Sequence, residues 1–204
     1  MHIDVNLTLS ILCWAGMLLL LLVLIRLAWV KGAIGRLLVS LTARLFLNDY
    51  AYQLISNVTV PDADGTIRID YIVVSRFGIF VIEVMPAAGV IAGDEQQTLW
   101  KQQLGEHERW FANPLHESDS RIATLAASLQ LPQALFFPLV VFVGDCSFSG
   151  SMPEQVSRDG NYVYYIRSKS ELLLSPADVQ DVTRQLSSRP APAHAFSQLH
   201  EMHS

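Results

Sequence analysis

Cysteine is nearly absent: Cys13 and Cys146 are the only two in 204 residues. No disulfide framework or cysteine-built zinc site is available to the chain, and both thiols suit a reducing compartment. Positive charge is also scarce, with 14 Lys and Arg against 19 Asp and Glu and a formal net charge of −5. That balance argues against a domain that grips nucleic acid by bulk electrostatics, although a local basic cleft is compatible with it. There is no Gly-x-x-x-x-Gly-Lys phosphate loop, so an ATPase has no support. Ser147, Ser149 and Ser151 lack the Gly-x-Ser-x-Gly elbow of a hydrolase. No internal repeat occurs. His194, His200 and His203 sit in the tail at a spacing that matches no closed metal site. His107 and His116 read as surface histidines.

Charge is missing altogether from Val5 to Ile25, which includes the run Met17-Leu-Leu-Leu-Leu-Leu-Val-Leu-Ile25. A helix of that length covers roughly 30 Å, the hydrocarbon thickness of a bilayer. His2 and Asp4 do not supply the positive start of a secretory signal, and no small-x-small cleavage site follows the run. The expectation is an uncleaved single-pass anchor. Arg26, Lys31 and Arg36 follow it, so the positive-inside rule places the N-terminus outside and the rest in the cytoplasm, at the inner membrane.

Three regions are expected: an anchor over 1–30, a folded domain over 31–187, and a disordered tail over 188–204 rich in Pro, Ala, His and Ser. Ile34, Leu37, Leu38, Leu41 and Leu45 recur at helical spacing, predicting a helix over Lys31–Leu47 with Arg36, Ser40 and Ala43 off the apolar stripe. The domain should therefore lie against the membrane without a long tether. Strands are predicted over Tyr52–Val60, Gly89–Gly93, Pro138–Val143 and Tyr162–Ile166. Ser118 or Asp119 is expected to cap one helix, and Ser175-Pro176 to start the last. This order fits an α/β domain with a mixed sheet flanked by helices.

The most informative stretch is Thr66–Met85, TIRIDYIVVSRFGIFVIEVM, two apolar runs joined by Ser75-Arg76-Phe77-Gly78. It reads as a core hairpin carrying two acids, Asp70 and Glu83, where a carboxylate must be paired, hydrogen-bonded or metal-bound. Alternation puts Asp70 on one face with Arg68, Ile72 and Val74, and Glu83 with Ile79, Val81 and Met85. In a hairpin both acids fall near the open end. Two roles follow. As a pair they suit Mg²⁺, which takes oxygen ligands and keeps waters. As structural groups, Asp70 bonds a neighbouring backbone and Glu83 pairs with a base such as Arg68.

The run Gly65-Thr-Ile-Arg-Ile-Asp70-Tyr-Ile-Val-Val-Ser75, then Gly78-Ile-Phe-Val-Ile-Glu83, resembles the nuclease-related domain, NERD. Gly89-Val-Ile-Ala-Gly93, Trp100 and Asn113-Pro114 extend the resemblance over roughly residues 32–145. That family is similar to the PD-(D/E)XK nucleases, which implies a restriction-endonuclease-like fold and action on DNA. It also implies a metal site of an Asp followed by Glu-x-Lys, with Asp70 and Glu83 matching the two acids. The chain departs from the pattern at Met85, where the family has Lys. It departs again at Arg36 after Gly35, where an acid is usual, and at Glu117, beside His116, where Gln is usual. A thioether can neither move a proton nor stabilise negative charge. Lys101 and Arg68 are the candidates to stand in. The expected function is a Mg-dependent DNA phosphodiesterase with a degenerate site, or alternatively an inactive module binding nucleic acid, a protein partner or an oligomer at the membrane.

Overall fold

The computed structural model describes residues 14, 16, 17, 35–47, 51–62 and 65–189. A first helix, α1, occupies residues 35–46. Nine strands follow: β1 Tyr52–Asp62, β2 Gly65–Ser75, β3 Gly78–Pro86, β4 Gly89–Ala92, β5 Leu99–Leu104, β6 His107–Ala112, β7 Phe136–Val143, β8 Cys146–Phe148 and β9 Val156–Arg158. Helix α2, Pro114–Leu129, lies between β6 and β7, and α3, Tyr162–Ser168, and α4, Pro176–Ser187, close the described chain.

Two mixed sheets result. The larger has the order β1-β2-β3-β7-β9, antiparallel through β3 and parallel from β3 to β9; the smaller has the order β6-β5-β4-β8. Apolar residues run unbroken over Tyr71–Val74 of β2, Ile79–Ile82 of β3 and the whole of β7, as strands covered on both faces require. Ile72, Val74, Ile79 and Val81 pack under α2 and α4. Tyr71, Val73, Phe80, Ile82, Leu139 and Val141 face the opposite way, onto α1 and α3. The small sheet presses Ile91 and Trp100 against Val140 and Phe142, making a third apolar cluster beside the first.

The hairpin forms in the expected register, with Ser75 opposite Gly78 and Tyr71 opposite Ile82. Ser175 caps α4 through a full capping box with Asp178, with Pro in the first turn. Elsewhere the expectations need correction. Residues Tyr162–Ile166 form helix α3, not a strand. Their β-prone side chains are overridden because Tyr162, Val163 and Ile166 share one helical face in the core, and the Tyr162 hydroxyl donates to the Val39 carbonyl at 2.6 Å. Neither Ser118 nor Asp119 caps α2. Asn113 does so, accepting the Leu115 N–H at 3.0 Å, and Ser118 is turned into the core. The hairpin β5–β6 and the short strands β8 and β9 have no counterpart among the expected strands.

In α1 the expected stripe faces the wrong way. Gly35, Val39, Ala43 and Leu47 are buried, while Leu37, Leu38, Leu41 and Leu45 are exposed. A close approach explains the choice: a methyl on Gly35 would run into the Val143 side chain, so only the glycine–alanine face can lie on the sheet. Among the described residues no helix is long and apolar enough to cross a membrane. The anchor expected over Val5–Ile25 lies outside them, apart from Trp14, Gly16 and Met17, which are helical and exposed. The expected tail from 190 onward also lies outside them.

Candidate functional site: a carboxylate seam under helix α2

The two strand acids meet where β2 and β3 part. Glu83 lies on the face that α2 covers. Asp70 sits where the alternation of β2 breaks, Ile69 and Ile72 both belonging to the α2–α4 cluster and Tyr71 to the opposite one. The β2–β3 ladder ends at the pair Tyr71–Ile82, so Asp70 and Glu83 occupy the next step, where the strands begin to separate. There the Val84 N–H, having lost its ladder partner, donates to Asp70 Oδ2 at 3.2 Å. A side chain thus replaces a strand hydrogen bond and holds the open end together.

Glu83 is only 5 % exposed. Along β3, Ile79 and Val81 before it belong to the α2–α4 cluster, while Met85 after it packs on the small-sheet cluster. The carboxylate therefore lies in a seam between two apolar masses. Helix α2 crosses the same seam, because Leu115 belongs to one cluster and Ile122 and Leu125 to the other. Between them, Ser118 is buried with no hydrogen-bond partner for Oγ.

Arg121, one turn from Glu117, closes the seam. Its Nη1 contacts Glu83 Oε1, and its Nη2 lies 4.0 Å from Glu117 Oε2. The contact with Glu83 combines opposite charge with a side-chain hydrogen bond whose alignment is poor. Burial is the largest influence on Glu83 and pushes its carboxyl above the usual range; Arg121 opposes that, and Glu117 and Asp70 add to it. Desolvation thus outweighs the ion pair. Asp70, Glu83 and Glu117 form one electrostatic neighbourhood with Arg121 as its cation.

The Asn-Pro pair sets this geometry. Asn113 Nδ2 donates to the Gln97 carbonyl at 2.7 Å and reaches those of Asp94 and Glu95 at 3.2 and 3.3 Å. The start of α2 is thereby tied to the β4–β5 loop, which fixes where Glu117 and Arg121 fall.

Both candidate stand-ins for a strand lysine are engaged elsewhere. Arg68 donates to Asn57 Oδ1 at 2.7 Å, across to β1. Lys101 pairs with Glu108 on the neighbouring strand of the small sheet. Asp70 does bond a neighbouring backbone and Glu83 does pair with a base, but that base is Arg121 rather than Arg68. Sequence reasoning passed over Arg121. The available signal was its i, i+4 spacing from Glu117 on an amphipathic helix. His116 is exposed, with Nε2 3.0 Å from the Glu95 carbonyl, outside the seam contacts. Among the described residues no group of three or more His, Cys, Asp or Glu is placed to cage a metal.

The molecule is thus a mixed α/β domain with an acid-and-arginine seam at the open end of its central hairpin. The nuclease-related domain model, NERD, matches residues 31–143, and the chain belongs to that family. It is also 29% identical over 151 residues to an uncharacterized protein of Bacillus anthracis, pXO1-01, covering 74% of this chain and 69% of the relative.

Proposed function

We propose that this chain is a membrane-anchored, nuclease-related module that engages the phosphodiester backbone of DNA at the Asp70–Glu83 seam. The observation that carries the reading is the meeting of two carboxylates at the open end of the core hairpin, close enough for Asp70 to raise the Glu83 carboxyl. The antiparallel β1–β2–β3 meander running into parallel β7 supports a restriction-endonuclease-like fold. Residues 1–30 serve as the inner-membrane anchor with the N-terminus outside, 31–187 as the cytoplasmic domain and 188–204 as a tail. The uncharged stretch from Val5 to Ile25 supports this division.

Mg²⁺ is commonly held by one or two carboxylates with several waters retained, so a two-acid site suits it better than a full cage. Asp70 and Glu83 fit as donors, and the buried Glu83 Oε1, which the Arg121 guanidinium contacts with poor alignment, is an atom that such an ion would take over. When bound, the ion would supply Lewis acidity and a water of lowered pKa. Arg121 touches the same Glu83 oxygen, so guanidinium and metal compete for it. Freed from Glu83, Arg121 offers a planar donor fork suited to a phosphate oxygen.

Met85, beside Glu83 on the same strand face, places a thioether where a charge-stabilising group would speed phosphate chemistry. Together with the Glu83–Arg121 ion pair, it favours a second reading: a module that binds without cutting. One comparison decides. The full chain in detergent is incubated with plasmid DNA and Mg²⁺ or Mn²⁺, beside Asp70→Ala, Glu83→Ala and Met85→Lys. The enzyme reading expects slow cleavage lost in both alanine variants and raised about 100-fold by Met85→Lys. Cleavage indifferent to the alanine substitutions would defeat it, and no cleavage together with metal-dependent DNA retention would establish the second reading.

A further inference from the structure

Helix α1 is apolar on two opposite sides. Its inner side, Val39, Ala43 and Leu47, lies on the sheet. Its outer side carries Leu37, Leu38, Leu41 and Leu45, exposed by 57, 47, 45 and 78%. A helix apolar all round is normally buried on both sides, and among the described residues nothing covers the second one.

Charge is sorted across the large sheet in a way the net value hides. Between Asp4 and Asp49 the sequence holds Arg26, Lys31, Arg36 and Arg44 and no acid. The same holds between Asp159 and Glu171, where Arg167 and Lys169 are the only charges. These two segments contain α1 and α3, which pack together over one sheet face. Next to Thr42 and Phe46 of α1, α3 presents Tyr164, 75% exposed, and Arg167. Lys169 lies over the Phe137 and Tyr165 rings at 5.5 and 4.3 Å. The α2–α4 layer on the other face carries Glu117, Asp119, Asp178 and Asp181 against Arg121 and Arg184, each paired with an acid of its own helix. An acidic protein has therefore gathered cations, leucines and an exposed tyrosine on one side.

We propose that the outer face of the α1–α3 layer rests on an anionic lipid surface, so that the Asp70–Glu83 seam opens away from the bilayer. The proposal rests on the anchoring reading above and deepens it. Nine residues separate Ile25 from Gly35, so the chain leaving the bilayer enters α1 almost directly. Leucines flanked by Arg suit the boundary between headgroups and acyl chains, where an apolar face is buried and cations meet anionic lipid. A substrate approaching the seam then comes from the aqueous side, with the sheet between it and the membrane.

The full chain, with Cys13→Ala and Cys146→Ala, takes one nitroxide label at a time through Leu41→Cys or Tyr164→Cys on the lipid side, or Gln180→Cys on α4. Each form is reconstituted in vesicles of phosphatidylcholine with or without phosphatidylserine. Flotation reports anchoring, and collision with a water-soluble nickel chelate and with oxygen reports depth. Expected are several-fold lower nickel and higher oxygen accessibility at 41 and 164 in anionic vesicles, with 180 remaining aqueous. Reversing Arg44 and Arg167 to Glu should weaken this contact about fivefold per charge. Flotation with an aqueous label at 41 would overturn the docking face and leave anchoring intact. No flotation would overturn both. Shielding at 41 that grows with protein density and brings spin coupling between copies would identify a second chain as the occupant and overturn the lipid proposal.

Discussion

Glu83 is the residue on which the proposed metal and the Arg121 guanidinium would compete. Its carboxyl is pushed above the usual range mainly by burial, and Arg121 restrains that rise. Metal binding requires the ionised form, so protons compete with the ion, and affinity falls as pH drops through the raised pKa of the folded protein. The loss should therefore begin above 4.5, the ordinary value for the group. Arg121→Ala removes both the restraint and the competitor. Calorimetric titration with Mg²⁺ or Mn²⁺ across pH should show the midpoint of the pH dependence moving upward and affinity at high pH increasing. Unchanged pH dependence would mean that Glu83 is not a ligand. In the apo protein the same substitution should cost about 2 kcal/mol, less than the roughly 3–5 of a fully buried pair, because Arg121 is about one-third exposed. The two acids could be picked out from the sequence because a carboxylate inside an apolar strand conflicts with its surroundings. Arg121 offers only its i, i+4 spacing from Glu117, because its buried partner is far away in sequence and a helix-surface arginine conflicts with nothing local.

At the scale of elements, β1 to β4 and β7 were legible, β5, β6, β8 and β9 were not, and two helices were misread for different reasons. Alternation and the Ser75–Gly78 turn fix the hairpin register, and a slip of one residue would bury the wrong face. For α3 the β-branched and aromatic content pointed to a strand, and the core selected the helical period instead. For α1 the leucine periodicity was real, but it marks the outer face. The buried side was chosen by small residues that allow close approach to the sheet, a constraint invisible to a hydrophobicity pattern. The two faces predict opposite outcomes. Val39→Ala should destabilise the detergent-solubilised protein by about 2 kcal/mol, since a buried side chain loses its contacts. Leu41→Ala should stay within about 0.5 kcal/mol, as an exposed substitution does. Chemical denaturation of both variants checks the assignment of faces, and a larger loss at Leu41 than at Val39 would reverse it.

For the whole molecule, charge decides how DNA could be held. A net charge of −5 gives no general attraction to a polyanion, and the α2 side that bears the seam is the more acidic one. Any hold on DNA there must come from a few local cations, namely Arg121 and an ion on Asp70 and Glu83. This sets the domain apart from proteins that neutralise many phosphates and lose affinity steeply with salt. With Ca²⁺ replacing Mg²⁺ to allow binding without turnover, log affinity against log salt should have a slope of about −1 to −2, corresponding to one or two phosphates neutralised. Chelation should abolish the binding, and Asp70→Ala should do the same with metal present. Metal-independent retention with a steep slope would place the DNA on another surface, and the cation-rich α1–α3 face would then be the first to map. In that event the same face could not also rest on lipid, so a binding measurement in anionic vesicles would show DNA and membrane excluding one another.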